Sequence, residues 1–254
     1  NLAVIGEMSV AEAALSATGA VSAFGLKLDD VSRVGDIFAK AAATSNTSVS
    51  AMTESMRQAS TVSAVYGSTI EETAAALGVL AKINVTGSAA GTAYTNMLTN
   101  LYAPTKQAAA ALKDLGVTTD DGMGGLKNST QLLGELRKAL SGFNEPARAD
   151  FLGDIFTVRG QKAASTIIEN LALYKVRMQE AAEATGFTNV AVAKLEDSTT
   201  GAMKRMQNSV SGSLAKAFAS SQPALQALIS DLGAIARSQG TVDLLTAMAD
   251  GTLR

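Results

Sequence analysis

The segment NVTGSAAGTAYTNMLTNL, Asn84 to Leu101, places Gly87 and Gly91 four residues apart, with Ser88 and Thr92 beside them. Such a composition suits a loop that wraps a phosphate in backbone N–H groups. The chemistry is incomplete, however. A phosphate loop spaces its glycines as G-x-x-x-x-G-K-[ST] and uses the lysine to neutralise the ligand. Here the spacing is one short, and Thr92 follows Gly91 where the lysine belongs. The alternative is a pair of small residues on one helix face, which lets a second helix come close. Two acid pairs are the other candidates for chemistry, Glu71-Glu72 and Asp120-Asp121. Glycoside hydrolysis needs two carboxylates about 5 to 10 Å apart, but the first pair falls at a helix start and the second in a turn. Asp120-Asp121 also lacks the alternating oxygen ligands and bidentate glutamate of a Ca²⁺ loop.

Cysteine and histidine are both absent. That removes thiol nucleophiles, disulfides, imidazole bases and nearly every zinc or copper site. The formal net charge of −2 leaves no basic footprint for nucleic acid, and Lys204-Arg205 is expected to be a solvated helix face. The expectation is a non-enzyme with no cofactor, no metal and no specific nucleic-acid binding.

The elements that must hold these residues are helical. Hydrophobic residues reach 47% while aromatics stay at 4%, with three prolines in 254 residues. This favours thin, closely packed helices over a β-sandwich. Ser9 and Glu12 form a capping-box pattern, and Ser68 with Glu71 repeats it. Asp29 is placed to cap a second helix, and Asn144 to cap another with Pro146 in its first turn. Gly67 and Gly116 stand where helices should stop. With Gly87 and Gly91 they are the expected structural glycines of helix packing. A helix is predicted from about Ser88 to Tyr102, and another from about Thr105 to Leu115. VTTDDGMGGLKN, residues 117–128, reads as a small hairpin or Ω-like loop. RGQKAASTIIENLALYKVRMQEAAE, from Arg159, reads as one long helix with Ala164, Ile167, Ile168, Leu171, Tyr174 and Met178 on its stripe.

The fold class predicted is therefore all-α: a bundle of short antiparallel helices, a long C-terminal helical region and one loop near 117–127. A core domain is expected over 1–186 and a helical segment over 187–254, the whole being a piece of a longer protein. In the last segment Leu225, Leu228, Ile229, Leu232 and Ile235 form a stripe suited to a partner or a helix–helix seam. No apolar run reaches the roughly 18 to 20 residues of a membrane span.

Four blocks together carry a resemblance. They are FGLKLDDVSRVGDIFAKAAATSNTSVSAMTESM, AVYGSTIEETAAALGVLAKINVTGSAAGTAYTNML, PTKQAAAALKDLGV and FLGDIFTVRGQKAASTII. In content and order they resemble the core region of tail tape measure proteins of tailed bacteriophages, over roughly Val10 to Ser213. The resemblance implies a virion structural protein that lies along the tail axis or at the tip. It would set tail length and leave ahead of the DNA on ejection. The implied partners are other copies of the chain as a trimer or hexamer, the tail tube, tail-tip or baseplate hub proteins and tail assembly chaperones. The host inner membrane joins them on ejection, after assembly in the host cytoplasm. Membrane-active DNA-channel modules and tape measures of tail-like bacteriocins are the alternatives.

Physical length qualifies the implied role. As one helix the chain would reach about 380 Å, yet caps and glycines recur every 12 to 20 residues or so. Folded compactly it has a radius of gyration of roughly 18 Å. The segment is thus expected to be a compact domain that anchors a measuring rod.

Overall fold

A computed structural model of the chain describes residues 1–197. The chain divides after Ala193, and the account that follows concerns the first unit, Asn1–Ala193. The stripe from Leu225 to Ile235 lies outside the described residues.

The described residues form helices α1 (Leu2–Gly6), α2 (Val10–Ala23), α3 (Val31–Ala43), α4 (Val49–Val65), α5 (Ile70–Ala81) and α6 (Gly87–Tyr102). These are followed by α7 (Lys106–Asp114), α8 (Ser129–Leu140), α9 (Glu145–Ile155), α10 (Val158–Glu169), α11 (Leu171–Ala182) and α12 (Phe187–Asp197). A 3₁₀ turn, Leu28–Asp30, precedes α3. No strand forms among the described residues, and the fold is all-α as its composition implied.

Helix α5 is the centre. Every residue from Ile70 to Ala81 except Glu71 is buried, as a helix apolar on all sides requires. It packs on α3, α4, α6, α10 and α11. Much of the packing surface is alanine: Ala59, Ala74, Ala76, Ala163 and Ala164 are wholly buried. Larger side chains fill the remaining space, with Phe38, Tyr94, Tyr174 and Met97 wholly buried among them.

The punctuation follows backbone chemistry. Ser9 Oγ accepts the Glu12 N–H at 3.1 Å while Glu12 returns a bond to the Ser9 N–H at 2.9 Å. Asn144 Oδ1 accepts the Ala147 N–H at 3.1 Å. After α4, Gly67 takes φ +73°, and the Ser68 N–H closes back on the Ser63 carbonyl at 2.9 Å. Gly116 does the same after α7, with Val117 N–H on the Leu112 carbonyl at 2.9 Å. Both are left-handed C-caps that favour glycine because a Cβ is penalised there.

Three expectations are corrected. The cap of α5 is Thr69, not Ser68: Thr69 Oγ1 accepts the Glu72 N–H at 3.1 Å, and Glu72, not Glu71, completes the box at 2.9 Å. The chain leaves the preceding Gly67 turn with Ser68 already buried, so the helix starts one residue later. Asp29 caps nothing; it lies in the 3₁₀ turn, where Asp30 accepts the Lys27 N–H at 3.1 Å. The long helix expected from Arg159 is two helices. At Asn170 the backbone turns to φ −104°, ψ 31°. Its side-chain amide donates to the Thr166 carbonyl at 2.8 Å and its Oδ1 accepts from Lys82 Nζ at 2.8 Å. A side chain that bonds nearby backbone competes with helix continuation, and the corner lets both α10 and α11 pack on α5.

The 117–127 loop carries a single antiparallel bridge, Asp120–Leu126. It is held by Asp121, whose Oδ1 accepts the N–H groups of Met123 at 2.8 Å and Gly125 at 2.9 Å. Those bonds keep the Asp121 carboxyl below its ordinary range.

Candidate functional site

Helix α6 carries the two glycines that raised the question of phosphate, and its neighbours answer it. A Cβ on Gly91 would strike the Ser55 carbonyl oxygen and lie 2.5 Å from Gln58 Cβ, both on α4. On the Gly91 face of α6 the space is filled by another helix. Ser55 Oγ stands 2.8 Å from the carbonyls of both Ala51 and Gly87, tying the start of α6 to α4. A second close crossing lies on the α10 side. A Cβ on Gly160 would come within 3.2 Å of Asn96 C and Met97 N, and within 2.9 Å of Asn100 Oδ1. Asn100 also accepts the Thr157 N–H at 3.1 Å, so α6 caps the beginning of α10. Sequence reasoning missed Gly160, because its small-residue role depends on a partner helix more than fifty positions away.

The other structural glycines do different work. Gly87 has φ +60° with nothing within 4 Å of a built Cβ. It opens α6 by conformation and not by close packing, and the same open surroundings apply to Gly67 and Gly116. Of the four, Gly91 alone is a packing glycine.

The acid pairs are engaged in structure. Glu71 is salt-bridged to Arg33 of α3. Glu72 is buried, caps Thr69 with one oxygen and accepts Thr130 Oγ1 at 2.8 Å with the other. Around it lies a cluster of hydroxyls from four helices and their caps: Ser68, Tyr94, Ser129, Thr130 and Tyr174. Ser68 Oγ is 3.3 Å from Ser129 Oγ, and Thr130 Oγ1 is 3.4 Å from Tyr174 Oη. Tyr94 is wholly buried and its hydroxyl makes no hydrogen bond of normal geometry. Burial pushes it up to about 12, against the weaker opposing pull of the Ser68 and Ser129 hydroxyls. The bonds among Ser68, Glu72, Ser129, Thr130 and Tyr174 fix how α5, α8 and α11 meet. Asp120 is likewise spent, its Oδ1 accepting the Gly122 N–H.

A further carboxylate has the most specific placement. Asp36, buried on α3, accepts the backbone N–H groups of Gly186 at 2.7 Å and Thr188 at 2.8 Å. These are donors that the start of α12 leaves without an intrahelical partner. Lys40 Nζ, one turn along α3, stands 5.3 Å from the Phe187 ring centroid. Asp36 lies off the apolar stripe of Val31, Val34, Ile37 and Phe38, where sequence alone reads a solvated face; only the arrival of α12 gives it its role.

Among the described residues, no group of three or more acidic side chains could hold a metal ion. No described helix is long and apolar enough to cross a membrane. What the arrangement offers is interlocked helices and a gripped C-terminal junction.

Residues 1–157 match the family model of phage-related minor tail proteins. The chain is 31% identical over 168 residues to the tape measure protein of Pneumococcus phage Dp-1, covering 66% of this chain and 14% of that protein. It is 30% identical over 212 residues to the "probable tape measure protein" of Escherichia phage P2, covering 82% of this chain and 26% of that protein. The chain thus spans 14% and 26% of the length of these two relatives. No solved structure matches it significantly. With more than half of its residues inside that model, the chain belongs to the phage-related minor tail protein family.

Proposed function

We propose that residues 1–193 are a compact, non-catalytic anchoring domain of a tape measure protein. In this reading the domain sits in the virion tail at one end of the measuring rod, and other parts of the longer protein set the length. One observation carries it. The longest described helix, α4, has 17 residues, about 25 Å of axis, and the helices close around α5 instead of running on. A rod that measures by extension cannot be built from helices turned back every few turns. The Asp36 grip on the start of α12 then acts as the point where load from the following chain enters the domain. The tail tube, the tip or baseplate hub and assembly chaperones are the partners this role requires.

The experiment is an in-frame duplication of residues 1–193 within the full gene, followed by electron microscopy of the tails. An anchoring domain leaves tail length unchanged. Lengthening by about 290 Å, the span of 193 helical residues, would show that the segment measures and would end this reading.

A further inference from the structure

We propose that the protein associates with itself head to tail, the exposed face of α2 in one copy seating in the groove between α6 and α10 of the next. Two surfaces on separate elements carry this. Helix α2 buries Ala13, Ala17, Ala20 and Val21 against its own domain. Its outward face is apolar as well: Val10 is 78% and Leu15 73% exposed, with Ala11 and Ala14 exposed between them. Val10 with Ala14 and Ala11 with Leu15 are i, i+4 pairs, so they form one ridge. A surface helix ordinarily turns charge to solvent. The only charged residue in α2 is Glu12. Its carboxylate accepts the Ser9 N–H of the capping box and makes no ion pair among the described residues.

The groove is the complement of that ridge. Its volume is about 380 Å³, and it is lined by the apolar Val85, Ala89 and Ala93 together with Ser88 and Thr92. Arg159 and Lys162 of α10 stand at its rim. Both are exposed, and among the described residues neither makes an ion pair or hydrogen bond through its side chain. A small-residue lining accepts branched aliphatic knobs, and two unpaired cations suit a ridge whose one charge is a carboxylate. Helices α2 and α6 both pack on α4, and α10 packs on α6, so ridge and groove are different patches of one molecule. A contact between different patches is heterologous: it repeats from copy to copy and closes a ring or continues as a filament. At 14 residues, α2 is too short to be a membrane-spanning alternative for its apolar face.

The test uses the 254-residue chain, Leu15→Lys as a ridge variant and Arg159→Glu with Lys162→Glu as a groove variant. All three positions are exposed, and circular dichroism checks that the helices persist. In sedimentation velocity the parent chain should self-associate with concentration, less so at high salt. Each variant alone should associate about tenfold more weakly or not at all. An equimolar mixture of the two variants should form a heterodimer and stop there, because it retains one intact ridge and one intact groove. A parent chain that stays monomeric overturns the proposal, and so does a variant that associates as the parent does. A mixture that stays monomeric overturns it equally. Occupancy of the groove by another acidic partner or by a preceding part of the longer protein would show as the first of these results.

Discussion

Asp36 and Thr188 meet at 2.8 Å across 152 positions of sequence, a carboxylate of α3 accepting a backbone N–H in the first turn of α12. The bond from Gly186 beside it, at 2.7 Å, makes Asp36 an N-cap supplied by a different helix. It satisfies orphan donors and places a negative charge at the positive end of the helix. Asp36→Ala is expected to destabilise the domain by about 3 kcal/mol, and Asp36→Asn by about 1 to 2, since the amide keeps one acceptor. Urea unfolding reports the loss. Hydrogen exchange should localise it, with the Gly186 and Thr188 amides losing protection first.

Gly91 and Gly87, four residues apart, should respond oppositely to a side chain. At Gly91 an alanine Cβ meets the α4 backbone at Ser55, and backbone cannot rotate away. Gly91→Ala should cost about 1 to 3 kcal/mol. Gly87 has open surroundings but φ +60°, a conformation that asparagine tolerates better than most residues. Gly87→Asn should therefore stay within about 1 kcal/mol of the parent, while Gly91→Asn should lose far more. Equal thermal shifts for the two asparagine variants would refute the distinction between a conformational and a packing glycine.

Alkaline pH should weaken the fold through the buried tyrosines. Burial raises Tyr94 from its ordinary 10.0 to about 12, and moves Tyr174 and Tyr102 in the same direction for the same reason. A group whose pKa is raised by folding holds its proton more tightly in the folded state. The associated stability is fully present below about pH 10 and is lost as pH climbs toward 12. Melting temperature followed over that window should fall. Tyr94→Phe strands no hydrogen-bonded partner, so it should lie within about 1 kcal/mol of the parent at pH 7. It should also show a shallower alkaline decline.

The one-residue placement of the α5 cap can be read by exchange. Thr69→Ala should expose the Glu72 amide and cost about 1 kcal/mol. Ser68→Ala should leave that amide protected, because Ser68 faces the buried Ser129 hydroxyl instead. Loss of Glu72 protection in the Ser68 variant would return the cap to Ser68.

The tetrapeptide Gly-Asp-Ile-Phe occurs twice and shows how far local sequence reaches. In α3 it is Gly35-Asp36-Ile37-Phe38, wholly within a helix, with Asp36 buried and gripping α12. At the end of α9 it is Gly153-Asp154-Ile155-Phe156, where Phe156 turns to φ −115°, ψ 142° and Asp154 accepts from Gln107 at 2.8 Å. The apolar pair is buried in both settings. The aspartate's task differs because it depends on which helix comes to lie opposite.

By itself the sequence determined the all-α class, most helix limits and the boxes and caps at Ser9, Glu12 and Asn144. It determined the turns at Gly67 and Gly116 and the loop near 117–127 as well. All of these are written in contacts within a few residues: 3.6-residue periodicity, side chains that reach their own first turn, and glycines that alone adopt a left-handed C-cap. Tertiary structure decided the rest. It broke the long helix at Asn170, where Lys82 arrives from α5, and moved the α5 cap from Ser68 to Thr69. It divided Gly91 from Gly87 and made Asp36 a cap for a helix 150 positions later. Each of these turns on a partner brought close only by the packed core, whose energy outweighs local preference and whose geometry no short window of residues contains.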